Sequence, residues 1–210
     1  TDAVQAFGQI PLDVSLMQID LLSASAHKLG GPKGVGCLYI RSGVRIGALI
    51  YGGAQERSRR AGTENVPGIV GFGAAAVRAK ETLKEKQNKE RKMRNHMLQR
   101  LIREMPDCRL NGHPDKRLPG NVNVTFSGVE AESLLIRLDM QGVCASAGSA
   151  CTSGSIEPSH VLLAMGLTPA QARSTVRFTL NADNTPEEIE EAVDCIVQSV
   201  LRLREMKTGI

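Results

Sequence analysis

Three side chains stand where packing alone explains them poorly: Lys28, Cys151 and Arg177. Lys28 lies in SASAHKLGGPKGVG (residues 23–36), between His27 and a glycine-rich turn, after an apolar run, Ile19 to Ala24, that reads as a buried strand. Its amine is therefore expected where a strand leaves its sheet. A lysine so placed can form a Schiff base with an aldehyde once it has shed its proton, which partial burial beside a potentially cationic His27 favours. Ser25 and His27 add donors for an anion such as a phosphate, and Gly30, Gly31 and Gly34 with Pro32 form a tight turn that lets backbone come close to a ligand. The competing reading is a surface lysine beside a turn. Cys151 sits in ASAGSACTSGSIEPS (residues 145–159), among small and polar residues that neither bury it nor build a regular element, so its thiol is expected to be exposed on a mobile loop. Arg177 interrupts the strand-like STVRFTL, where a guanidinium is costly unless it meets a ligand anion or an internal ion-pair partner.

The elements that must hold these groups follow from hydrophobic periodicity. Val35 to Ile40 reads as an interior strand with Cys37 packed inside it, and Ala48 to Tyr51 as a further short strand that leads into the polar loop QERSRRAGTENVPG. From Val66 a long helix is predicted, with Pro67 near its start and apolar residues at Val77, Leu83, Met93, Met97, Leu101 and Met105. Its first part is expected to be buried and its later part solvated. The basic stretch Lys84 to Arg100 interleaves with Glu85 and Glu90 at helical spacing, the pattern of an ion-paired solvated face rather than a nucleic-acid patch. Beyond Pro106 the pattern shortens to strands at Cys108 to Leu110 and Asn121 to Phe126. A helix from Glu130 to Met140 follows, then a strand from Val143 to Ala145, short helices at His160 to Met165 and Pro169 to Arg173, and a strand from Ser174 to Leu180. Thr185, Pro186, Glu187 and Glu188 start a closing helix that runs to about Met206 with Ile189, Val193, Ile196, Val200 and Leu203 along one stripe. The fold class is therefore α/β, with a small α+β domain after a boundary near Lys84 to Glu90.

Composition narrows the chemistry. The 210 residues are 41% hydrophobic and 23% charged, as in a globular protein of one large or two small domains, and the net charge of +4 calls for neither nucleic acid nor an anionic membrane. Five cysteines without a repeating spacing or a CxxC pair argue against a disulfide framework or a structural zinc site, and for a reducing, cytoplasmic setting. Cys37, Cys108, Cys144 and Cys195 read as small buried hydrophobes, and His113 and His160 as surface or loop residues without metal-ligand spacing, so no metal is expected. No apolar run approaches the roughly 20 residues of a membrane span.

These motifs, in this order, resemble the class I, long-loop cysteine desulfurases. SASAHKLGGPKG is similar to that family's cofactor-lysine segment, GGAQERSRRAGTEN to its GGGQERGLRSGTEN loop, ASAGSACTSGSIEPS to its SSGSACTS(A/G)SLEPS loop, and VRFTL to its RF(S/T)L strand. The resemblance implies the C-terminal part of a fold-type I, aminotransferase-like large domain over residues 1–86 and a small C-terminal domain carrying the cysteine loop over residues 87–210. It implies pyridoxal 5'-phosphate as cofactor, bound by Asp2 at the pyridine nitrogen, Gln5 at the phenolic oxygen, Ser25, His27 and Lys28, with Thr63 donating to the phosphate of a neighbouring subunit. Lys28, His27 and Cys151 are the implied catalytic residues, Cys151 becoming a persulfide while L-cysteine is converted to L-alanine; Arg177 clamps the substrate carboxylate. The implied partners are L-cysteine, a sulfur-acceptor or iron-sulfur scaffold protein and a second subunit. A selenocysteine lyase, a related aminotransferase, or a non-catalytic interaction module are the alternatives. Arg57 and Arg60 also match the loop motif, while Ala54, Ser58 and Ala61 replace residues that are more often Gly, Gly and Ser; Asn181 and Ala182 stand where Gly and a basic residue are frequent. Because the chain begins at Thr1 with Asp2 already in a motif, it is expected to be the C-terminal portion of a longer protein, with a self-sufficient small domain and no desulfurase turnover on its own.

Overall fold

The computed structural model describes residues 1–147 and 158–208, and it divides into two compact units, Thr1–Glu85 and Lys86–Ile210. In the first unit, β1 (Leu21–Ser25) and β2 (Gly36–Ile40) pair antiparallel, with Ser25 opposite Gly36 and Leu21 opposite Ile40. The opening residues lie parallel to β1 through the Asp2 and Ser23 bridge. Alternation in β1 buries Leu22 and Ala24, which join Ala3, Ala26 and Phe72 in a small core. β2 is not interior: Gly36, Cys37 and Leu38 are exposed, because β2 pairs only with β1 and nothing among the described residues of its unit covers its outer side. Ala48 to Tyr51 forms no strand; Leu49 and Tyr51 point outward, and the apolar character of that run does not reflect burial here.

The loop after Gly53 contains one turn, α1 (Gln55–Ser58), in which Glu56, Arg57 and Ser58 all take left-handed backbone conformations. Ser58, at φ 60°, occupies a glycine-like conformation where the resembling motif has glycine.

Helix α2 (Val66–Glu104) runs on as one 39-residue element through the boundary at Glu85. Its burial is the reverse of the periodicity-based expectation. Val66, Ile69, Val70 and Val77 are exposed in the first part, whereas Met93, Met97, Leu98 and Leu101 are buried in the later part. The charged face there lies on the opposite side of the same turns, so dense charge and deep burial coexist.

The second unit is a three-stranded antiparallel sheet, ordered β3 (Cys108–Leu110), β4 (Asn121–Phe126), β5 (Thr175–Thr179). Val122, Val124, Phe126, Val176 and Phe178 face a core shared with the late part of α2, with α3 (Ala131–Asp139) through Leu134 and Leu138, and with α6 (Pro186–Thr208) through Ile189, Val193, Ile196 and Val200. Two short helices, α4 (His160–Ala164) and α5 (Pro169–Arg173), pack on each other through Leu162, Leu167 and Ala172. Both α5 and α6 open on capping boxes: Gln171 N donates to Thr168 Oγ1 at 3.2 Å, and Glu188 N to Thr185 Oγ1 at 3.2 Å, while the Gln171 and Glu188 side chains accept from the cap residues' own N–H groups. Val143 to Ala145 makes no strand; only Ser146 bridges to β5, through Arg177. Among the described residues no helix is long and apolar enough to cross a membrane.

Candidate active site

Lys28 sits in the single 3-10 turn Ala26–Leu29 that follows β1 directly, a turn closed by Gly30 in the left-handed conformation. The next position is close-packed: a Cβ on Gly31 would lie 3.0 Å from the Ala26 carbonyl oxygen and 3.2 Å from the Ala75 Cβ. The turn thus folds back on itself and holds Lys28 outward. Its side chain is exposed rather than partly buried, since the turn puts Ala26 into the core and leaves His27 and Lys28 on the outer side. Ser25 Oγ and His27 Nδ1 are hydrogen-bonded at 2.7 Å, which ties the last strand residue to the turn.

Asp2 lies beside β1 at the level of Ser23 and accepts a hydrogen bond from Val4 N–H at 2.8 Å. Gln5 is exposed in the turn that Asp2 opens. Asp2 is thus bridged to Ser23 on the strand whose end carries Ser25, His27 and Lys28, and Gln5 follows three residues after Asp2. Thr63 is exposed in the loop before α2 and hydrogen-bonds to none of these residues.

In the second unit Arg177 occupies the middle of β5, directly opposite Asn123 of β4. Its backbone exchanges hydrogen bonds with Ser146, at 2.6 and 3.0 Å. The Nε of Arg177 is buried and without a hydrogen-bond partner among the described residues, and no ion pair to Arg177 occurs among them. Asn123, with Asn111 behind it, belongs to the same polar sheet face and escaped the reading of NVNVTF as a plain strand. The signal was present: Asn121, Asn123 and Thr125 alternate with Val122, Val124 and Phe126, so the asparagines share the face of Arg177.

Cys151 lies outside the described residues. The other thiols divide. Cys108 is buried in β3, and burial pushes its thiol up to about 11, with Arg204 a smaller opposing influence, so it stays protonated and unreactive. Cys37 and Cys144 are exposed, contrary to expectation, because β2 has an uncovered side and the segment at Cys144 forms no strand. Cys195 is half-buried in α6. No group of three potential metal ligands occurs among the described residues.

Residues 1–192 match the family model described as aminotransferase class-V. A protein named cysteine desulfurase IscS from Methanosarcina thermophila is 50% identical over 206 residues, covering 98% of this chain and 51% of that protein. A cysteine desulfurase of Gluconacetobacter diazotrophicus is 46% identical over 206 residues, covering 98% and 52%. Among solved structures, a NifS-like protein from Rickettsia africae superimposes with a TM-score of 0.85 at 32% identity, over 94% of this chain and 52% of that one. A structure titled SspA in complex with cysteine gives a TM-score of 0.66 at 35% identity, over 88% and 50%. The chain spans about half the length of the curated relatives it matches.

Proposed function

Since the chain belongs to the aminotransferase class-V family, with the mixed α/β fold of the NifS-like structures, we propose that it forms the lysine and cysteine-loop portion of a cysteine desulfurase that turns L-cysteine into L-alanine and leaves the sulfur as a persulfide. The observation that carries this reading is the turn that sets His27 and Lys28 directly after Ser25 at the end of β1, with Asp2 bridged to Ser23 of the same strand. Those groups fit pyridoxal 5'-phosphate in kind: an amine for its aldehyde, a hydrogen-bonded serine and histidine for its phosphate, and a carboxylate for its ring nitrogen, around a turn close-packed at Gly31. Gln5 would serve the phenolic oxygen, and Thr63 the phosphate of a second subunit. When bound, the cofactor supplies a conjugated ring that accommodates the electron pair released at the substrate's α-carbon.

The chain's own residues do the rest. The Lys28 amine would hold the cofactor's aldehyde and would take up the proton released at the substrate's α-carbon, and exposure on a short turn leaves its stem free for both tasks. Asp2 keeps a negative charge at the ring nitrogen. Arg177 holds the substrate carboxylate with a guanidinium whose Nε is buried and unpartnered among the described residues. The Cys151 thiolate attacks the substrate sulfur; the carbon–sulfur bond breaks with its electron pair left on carbon, which takes up protons to become alanine, and the new sulfur–sulfur bond remains on the enzyme, so no outside oxidant is consumed. Thr1–Glu85 would then be part of the cofactor domain, and Lys86–Ile210 the small domain with the cysteine loop. A cytoplasmic enzyme that passes sulfur to an iron-sulfur scaffold or another acceptor is the corresponding role.

The test uses a complete enzyme containing this chain. Lys28→Ala is expected to abolish the visible absorbance of the covalently held cofactor and alanine production together, whereas Cys151→Ser keeps the colour and loses persulfide formation. An unchanged spectrum in Lys28→Ala would overturn the assignment.

A further inference from the structure

The sheet face around Arg177 carries a cross-strand row. Ser146, Arg177, Asn123 and Asn111 follow one another across the sheet: Ser146 pairs with Arg177, Arg177 stands opposite Asn123, and Asn111 N–H donates to the Asn123 carbonyl at 2.9 Å. Directly opposed residues of an antiparallel pair share a face, with Cβ atoms about 4.5–5.5 Å apart.

Which end of the Asn123 amide is available follows from proton accounting that starts at a backbone carbonyl. The Gln171 carbonyl can only accept, so the Thr175 hydroxyl, 2.8 Å away, donates to it and must itself accept from elsewhere. Thr125 Oγ1 lies 2.7 Å from Thr175 Oγ1 and is the donor there. With its own hydrogen spent, Thr125 accepts from Asn111 Nδ2 at 2.9 Å, leaving the 3.3 Å contact to Asn111 Oδ1 as the weaker one. The same Nδ2 reaches Asn123 at 3.0 Å, so the atom it meets must be the oxygen, Oδ1. Asn123 therefore has its acceptor end occupied and turns its NH2 group away. That group donates to no described residue. Thr125, Thr175 and Asn111 are buried, so water does not offer an easy alternative pattern.

Two donors thus stand on one sheet face on directly opposed residues, the Nε–H of Arg177 and the NH2 of Asn123, and neither meets an acceptor among the described residues. We propose that Asn123 is a second binding residue for the substrate carboxylate beside Arg177, and that Asn111 is a positioning residue that fixes the Asn123 amide through the relay from Gln171. The proposal rests on the reading of Arg177 as the carboxylate clamp. A carboxylate has two oxygens and room for donors on both, which one guanidinium and one amide together fill better than the guanidinium alone.

The experiment measures KM and kcat for cysteine in the complete enzyme, with inhibition by L-alanine, which carries the carboxylate, and by cysteamine, which lacks it. Asn123→Ala is expected to raise KM about tenfold, the loss of one hydrogen bond to a charged group, and to weaken alanine inhibition by the same factor, with kcat and cysteamine inhibition retained. Asn123→Asp places an anion beside the substrate carboxylate and moves the same quantities further. Thr175→Val breaks the relay and gives a smaller shift in the same direction, with Asn111→Ser as its counterpart at the other end; should either unfold the domain, the Asn123 pair decides alone. Equal weakening toward alanine and cysteamine means a structural role only and overturns the inference, as does no change in either. Arg177→Ala separates the two levels: if it leaves alanine inhibition unchanged, the clamp reading itself fails. If it weakens inhibition while both Asn123 variants do not, only the role of Asn123 fails.

Discussion

The two parts of α2 carry the same kind of sequence and meet opposite fates. Val66, Ile69, Val70 and Val77 lie on the first part and are exposed, with Val70 65% accessible; Met93, Met97 and Leu101 lie on the second and are sealed, with Leu101 at 0%. The same contrast runs through the units to which these parts belong. Thr1–Glu85 has a core of a few alanines with Leu22 and Phe72, while Lys86–Ile210 closes three strands and three helices around Phe126, Leu134 and Ile196. An apolar stripe states that a helix face wants cover; it does not say whether the cover lies within the same unit. Stability is therefore concentrated in the second unit, and the site proposed beside β1 is built on a thinner foundation.

Removing the large ring at the centre of the second core tests this contrast most strongly. Phe126→Ala is expected to cost about 3–5 kcal/mol of the second unit's stability, read from chemical denaturation followed by hydrogen exchange of β4 and α6. Equal loss of protection in β1 would show that the two units unfold as one and break the comparison.

A smaller effect is expected from Glu190. This carboxylate on α6 bonds to His96 and to Arg100 of α2, and Arg100 also reaches Asp194 and Glu104 at 2.7 Å. The His96 hydrogen bond, then that of Arg100, holds Glu190 below the usual carboxylate range. A carboxyl with a depressed folded value stabilises the fold above its unfolded value and loses that contribution as pH falls through its folded one. The second unit should accordingly soften on acidification, and Glu190→Gln should flatten the acid limb of its melting profile while changing little at low pH. An unaltered limb would assign acid sensitivity to other carboxylates.

Least of all should change when the uncovered stripe is made polar. Val70→Ser removes no burial within the unit, so a stability change within about 0.5 kcal/mol is expected for this chain alone, measured by thermal melting. A loss of several times that size would reveal a hidden contact and sharpen the boundary between covered and uncovered stripe.

Much of this was legible in the sequence, unevenly. The cap at Thr185, the strand Asn121–Phe126 and the helix around Leu134 and Leu138 could be read directly, because each is written in local chemistry: a hydroxyl three residues before a glutamate, an alternation of period two, a stripe of period 3.6. The turn holding Lys28 was legible for the same reason, through Gly30 and Gly31. What failed was burial. Cys37, Cys144 and Leu49 sit in apolar runs and are exposed, because exposure depends on neighbours that local pattern does not encode. The surroundings of Asn123 were equally out of reach, since its hydrogen-bond partner Asn111 lies 12 residues before it and Arg177, opposite it in the sheet, 54 residues after.

Asn111 is followed by Gly112, the pairing of residues most prone to spontaneous loss of the side-chain ammonia, because glycine leaves the next backbone nitrogen unhindered. That reaction requires the amide carbon to swing onto the Gly112 nitrogen. In the folded chain Asn111 is buried and its amide is tied to Asn123 and Thr125, so the swing is blocked for as long as the sheet holds. Every unfolding event exposes this bond to chemical ageing, and a molecule that ages there carries aspartate or isoaspartate at the Asn111 end of the relay, where the proposed arrangement needs a donor. The lifetime of an individual molecule is then set by how often its second unit opens, and the damage is recorded at one residue.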